Sequence, residues 1–125
     1  MRKLLDIRFD LGVDRKWLIP FLKSTCSTTG LNVCDLLRNA FSQHYLNKAD
    51  GITGRKSLRT ETSWDKFIIR IPKEYSHLSE KINELTKQKK VSPAVLFIIA
   101  FCEVYGKTNT KLAKKYYAWR EIRGI

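Results

Sequence analysis

The sequence predicts a mainly α-helical fold that carries two short β-strands, written as two strand-helix-helix units and a C-terminal helix. Three observations predict it. Residues 6–11 and 66–71 each place apolar side chains at every second position, the signature of a half-buried strand. Each of these stretches precedes two segments with apolar residues at helical spacing. A shift of sixty positions, without a gap, lays the first set on the second.

Under that shift Leu18 falls on Leu78, Leu36 on Leu96, Ala40 on Ala100, Phe41 on Phe101 and Tyr45 on Tyr105. Conservative matches fill the intervals: Ile7 with Phe67, Phe9 with Ile69, Leu11 with Ile71, Leu22 with Ile82, Leu31 with Val91. They carry weight because they keep one periodicity and one order of elements. The chain divides accordingly into a first unit (1–46), a linker (47–62), a second unit (63–106) and a basic amphipathic tail (107–125).

In the first unit Ile7, Phe9 and Leu11 share one strand face, and Gly12 closes the strand. Asp14 is expected to start a helix that buries Leu18, Phe21 and Leu22, with Pro20 removing a hydrogen bond or delaying the start. The break "STTGLN" leads to a helix capped by Asn32. In the second unit Phe67, Ile69 and Ile71 share a face, and Pro72 closes the strand. Ser76 is the expected cap of a helix burying Leu78, Ile82 and Leu85; "KQKKVS" breaks it, and Ser92 caps the apolar helix beyond.

The stretch "LNKADGITGRKSLRTET" is polar, contains glycine and has no apolar period, so it reads as a connection. Its seventeen residues reach at most about 56 Å, enough to join the units within one chain or to exchange strands between two.

The second helices of the two units differ. Asp35, Arg38, Asn39 and Ser42 give the first a polar side, where the other has Val95, Ile98, Ile99 and Cys102. That apolar side needs a cover. The tail offers one, with Leu112, Tyr116 and Trp119 on one helical face and Lys111, Lys114, Lys115 and Arg120 elsewhere. The alternative is that the apolar side joins two molecules.

Charge narrows the function. The chain has 24 Lys and Arg against 12 Asp and Glu, a net charge of +12, which favours an anionic partner: nucleic acid first, an acidic membrane surface second. The longest apolar run, Ala94 to Cys102, is about half of what a membrane helix needs, and no signal peptide is evident; a soluble, cytoplasmic protein is expected. Cys26, Cys34 and Cys102 are odd in number and lack ligand spacing, so buried free thiols are expected rather than disulfides or a zinc site. His44 and His77 have no carboxylate pattern beside them, and "GITGRKS" sets Arg55 between Gly54 and Lys56 with no strand before it. No catalytic residue, metal, cofactor or small-molecule substrate is expected.

The segments "FIIRIPKEY" and "KKVSPAVLFIIAF" carry a resemblance to the ribbon-helix-helix DNA-binding proteins. Residues 66–105 are similar to that family along their length, and residues 4–45 resemble a divergent copy lacking the proline. The tandem arrangement is similar to that of a transcription regulator of filamentous archaeal viruses. The resemblance implies that the strands pair into a short two-stranded antiparallel β-ribbon, here from one chain, making a pseudo-dimer of two ribbon-helix-helix repeats.

It also implies that outward ribbon side chains reach base edges in the major groove. Those are Asp6, Arg8 and Asp10 on one strand and Lys66, Ile68 and Arg70 on the other. Paired antiparallel about their centres, Asp6 faces Arg70, Arg8 faces Ile68 and Asp10 faces Lys66, each opposite-charge pair contributing about 0.2–1 kcal/mol. Either strand paired with itself sets like charges opposite each other, so the charges favour the mixed ribbon. Asn32, Ser92, Lys89 and Lys90 at the helix starts, with Arg55 and Lys56 of the linker, are the expected phosphate contacts. The function expected is a sequence-specific double-stranded DNA-binding transcription regulator, with a homodimer or higher oligomer on DNA left open. The alternatives are a nonspecific architectural DNA-binding protein and an antitoxin-like module that holds a partner protein through its C-terminal segment.

Overall fold

Two strands of six residues, β1 (Leu5–Asp10) and β2 (Lys66–Ile71), pair antiparallel into one two-stranded sheet. The register runs Leu5 with Ile71, Asp6 with Arg70, Ile7 with Ile69, Arg8 with Ile68, Phe9 with Phe67 and Asp10 with Lys66. It is the register in which opposite charges stand across from one another. A computed structural model describes residues 5–11, 13–47, 64, 66–71 and 76–124. The expectations placed on Gly12, Pro72 and nearly all of the linker, Arg55 and Lys56 included, lie outside the described residues.

Helices make up most of the remainder. A 3₁₀ helix (Val13–Leu18) leads into α1 (Ile19–Thr29), followed by α2 (Val33–Leu46). After β2 come α3 (Ser76–Lys89), α4 (Pro93–Tyr105) and α5 (Thr110–Arg123). The α-helix expected from Asp14 therefore begins five residues later, at Ile19, with Pro20 in its first turn. Proline is tolerated there because its missing N–H would have no intrahelical partner. Ser76 is the first residue of α3 rather than the residue before it.

The core lies between the ribbon and the helix pair α2 and α4. Ile7, Phe9, Leu11, Ile69 and Ile71 are buried on the covered side of the sheet. β1 packs on α4, and β2 on α2 and α3 alike, so each strand meets a helix from the other half of the chain. The two helices pack on each other, with Leu36, Leu37, Ala40 and Phe41 of one and Leu96, Phe97, Ala100 and Phe101 of the other all buried; the rings of Phe41 and Phe97 lie 5.0 Å apart. Each large side chain so withdrawn from water contributes roughly 1.5–3 kcal/mol.

α4 is buried over nine consecutive residues, Ala94 to Cys102, as a helix that is apolar all round must be. The cover for its far side comes from α5, which packs on α4 with Leu112, Tyr116 and Trp119 buried. Trp119 also meets Trp17 of the 3₁₀ helix, ring centroids 6.3 Å apart, so α5 spans from α4 to the first half of the chain. The corresponding side of α2 is not solvated as its composition suggests: Asp35 and Ser42 are buried and Arg38 and Asn39 half-buried. No described helix is long and apolar enough to cross a membrane.

Candidate nucleic-acid interface

The uncovered side of the ribbon follows from strand geometry. Ile7 and Phe9 point into the core, so Arg8 between them points out, and so do Lys66 and Ile68 on β2; all three are exposed. Arg8 and Ile68 are cross-strand partners at the centre. Ile68 is 52 % exposed, an apolar side chain held in water on a face flanked by cations. Asp6, Asp10 and Arg70 occupy the neighbouring register positions; their side chains lie outside the described residues.

The start of α2 abuts this ribbon, the Cys34 thiol donating to the Ile68 carbonyl oxygen at 3.4 Å. Side chains of the helix's own first turns close that start. The Asn32 side-chain oxygen accepts from the Asp35 amide at 2.8 Å, and its amide nitrogen donates to the Asp35 carboxylate at 3.1 Å. Arg38 pairs with the other carboxylate oxygen of Asp35, with both side chains largely removed from water. Asn32 therefore serves first as a cap, its side chain committed within the helix.

The start of α4 is built differently. Ser92 occupies the cap position with extended backbone, yet its side chain makes no capping hydrogen bond; the hydroxyl is exposed. The Val95 amide donates instead to the Ser92 backbone carbonyl at 3.1 Å, and Pro93 brings no amide proton at all. The capping expected from the serine side chain is thus absent, because backbone closes the turn without it. The positive charge here is on side chains: Lys87, Lys89 and Lys90 are all exposed. Lys89 leans over the Tyr45 ring of α2, ammonium to centroid 5.8 Å.

Lys90 holds a left-handed backbone, φ 53°, with its amide donating to the Thr86 carbonyl at 3.0 Å. Gly30, sixty residues earlier, does the same at φ 75° toward Cys26, at 2.9 Å. The strain at Lys90 is legible only when the two turns are laid side by side: where one has the glycine a helix end favours, the other has a lysine.

The remaining reactive groups are quiet. Burial, and then the neighbouring Cys34, pushes the Cys26 thiol up to about 11, and burial raises Cys102 further. Neither is a thiolate at neutral pH. Desolvation lowers the His44 pKa, against the pull of Glu103 and with the push of Lys89 and Lys107, so it adds no charge near neutrality. Among the described residues no three His, Cys, Asp or Glu side chains gather as a metal site.

The chain matches no family model, no curated protein and no solved structure.

Proposed function

We propose that the chain is a sequence-specific double-stranded DNA-binding transcription regulator, built as two ribbon-helix-helix repeats that pair within one polypeptide, and that it carries no catalysis. The single observation that carries this reading is the ribbon: two unlike strands, antiparallel, with Arg8, Lys66 and Ile68 exposed on the side away from the core. A two-stranded ribbon fits the major groove, which is about 12 Å wide. The interlocked packing supports the paired repeats, as does the recurrence of α2 and α4, and of Gly30 and Lys90, at one offset of sixty residues.

In this reading Arg8 donates to the O6 and N7 of a guanine, and Ile68 opposite it packs on a thymine methyl. Lys66 and Arg70 reach further base edges or phosphates, and Asp6 and Asp10 orient them or accept from cytosine amines. Lys89, Lys90 and Ser92 hold a flanking phosphate. The ribbon is unlike on its two strands, so the subsite it reads is asymmetric.

Selection of binding sites from random duplexes tests this. The wild type is expected to yield a non-palindromic site, and Arg8→Ala to lose preference at one base pair, a discrimination of about 1–3 kcal/mol. A perfectly two-fold site within one footprint would contradict the mixed ribbon. Binding without any preferred site, falling steeply with salt, would favour the architectural alternative that the charge of +12 also supports.

A further inference from the structure

The first half of α5 carries a charge arrangement that helix stability does not explain. Lys107, just before the helix, and Lys111, Lys114 and Lys115 within it are all exposed, and among the described residues none pairs with a carboxylate. Lys111 stands three residues from Lys114 and four from Lys115, spacings at which like charges repel. Lys111 also sits in the first turn, where the backbone dipole is already positive, and no acidic residue stands there. In α3 the order is the favourable one, with Lys87 and Lys89 in the last turn. The other cations of α5 have partners: Arg120 lies over the Tyr116 ring at 5.5 Å and near Glu103 at 3.8 Å, and Arg123 over the Trp119 ring at 5.9 Å. The Asn109 cap already accepts the Leu112 amide at 3.1 Å, so the lysines are not substituting for a missing cap.

We infer that this outer face of α5 is a second DNA-backbone surface, one that grips duplex flanking the ribbon's site on one side only. The inference rests on the DNA reading above. Trp119 meets Trp17 in the 3₁₀ helix that follows β1, so the C-terminal half of α5 adjoins the segment leaving the ribbon. Lys115 and Lys111 lie four and eight residues back from Trp119, about 6 and 12 Å along the helix. The face is therefore beside the ribbon and not part of it. In the sequence, residues 47–62 after α2 carry no apolar period that would dock a matching helix, so the extension is one-sided.

Duplex is the occupant the charges favour. A second copy would bring the same lysines and be repelled. A membrane-surface helix needs an outward apolar stripe, whereas Leu112, Tyr116 and Trp119 are buried. The exposed Tyr117 and Ile122 stand five residues apart, about 140° around the helix, and form no stripe.

The test uses the full chain, the triple variant Lys111→Ala/Lys114→Ala/Lys115→Ala, and two duplexes carrying the selected site. One just spans the ribbon's site; the other extends it by about one helical turn, 10 bp, on each side. The wild type is expected to bind the longer duplex at least tenfold tighter. The triple variant keeps the wild-type melting curve, base preference and short-duplex affinity, and loses that gain. On the longer duplex its log–log salt slope falls by about 2.7, at 0.9 per phosphate contact for three contacts. Arg8→Ala should lose base preference yet keep the flank gain, which separates the two surfaces. Equal loss on both duplexes, or no loss on either, overturns the inference and leaves the ribbon reading intact. Sedimentation with anionic vesicles that the triple variant abolishes, without a change on DNA, also overturns it. A wild type that holds neither duplex sinks both readings.

Discussion

Between α1 and α2 the chain turns through Gly30, and between α3 and α4, sixty residues later, it turns through Lys90 in the same left-handed conformation. The helices that follow begin on similar backbone, with Asn32 and Ser92 both extended at the cap position. Their chemistry diverges. The first turn has its glycine, a reciprocal Asn32–Asp35 cap and a buried Asp35–Arg38 pair. The second has a strained lysine, an uncapped serine, two further exposed lysines, and Val95 and Ile98 where the first has Asp35 and Arg38. One turn is closed by its own side chains; the other keeps cations and a hydroxyl facing solvent. Such a division suits a molecule that folds on one side and holds an anion more firmly on the other, since sites that bind retain local conflicts that folding alone would remove.

The largest effect should come from breaking the satisfied turn at its ion pair. Arg38→Ala leaves the Asp35 carboxylate buried with only its cap partner and is expected to cost about 3 kcal/mol, read from the denaturant midpoint at constant slope. Copying the other helix tests the reason. The double variant Asp35→Val/Arg38→Ile removes both charges and should recover most of that loss, because apolar pairs of similar size commonly replace buried ion pairs without penalty. If the double variant is as unstable as Arg38→Ala alone, the site depends on its hydrogen bonds and not on charge balance.

The backbone gives the next contrast. Gly30→Lys forces a side chain into the left-handed region and should cost about 1–2 kcal/mol. Lys90→Gly relieves the matching strain and should gain up to about 1 kcal/mol in stability. The same change should weaken DNA binding, lowering the log–log salt slope by about 0.9 for one lost phosphate contact. Equal stability effects of the same sign at both positions would show the turns to be unlike in backbone as well as in chemistry.

How much of this the sequence carried can be read from particular residues. The mainly helical fold and the two strands follow from period-two and helical spacing, which survive as long as one face is buried; that the strands pair antiparallel was what the resemblance implied. Charge chose the partner, because Asp6, Asp10, Lys66 and Arg70 disfavour either strand paired with itself, and pairing about the strand centres gives the observed register. The cover of α4 was legible in Leu112, Tyr116 and Trp119. What escaped was decided by three-dimensional neighbours. Pro20 shows that the first helix is disturbed, but not that a 3₁₀ turn precedes it. The polar side of α2 is visible in the sequence, but not that Asp35 and Arg38 pair there largely removed from water. Ser92 is a good capping residue by type, and only the 3.1 Å bond from Val95 to its carbonyl shows that the backbone closes the turn without the hydroxyl.

That last difference supplies the finest test. Asn32→Ala removes an engaged cap and should cost about 1 kcal/mol, while its effect on DNA affinity should be no more than its effect on the folded fraction. Ser92→Ala removes a hydroxyl that caps nothing, so stability should stay within about 0.5 kcal/mol of wild type. If that hydroxyl meets a phosphate, affinity falls by about 1 kcal/mol, the net worth of one hydrogen bond, with folding untouched. The two alanines then separate stability from binding at positions sixty residues apart. A Ser92→Ala variant that binds as the wild type does would strip α4 of its side-chain contact and leave the anion to Lys89 and Lys90. An Asn32→Ala variant that loses affinity while staying folded would move the stronger grip to α2, reversing the contrast between the two turns.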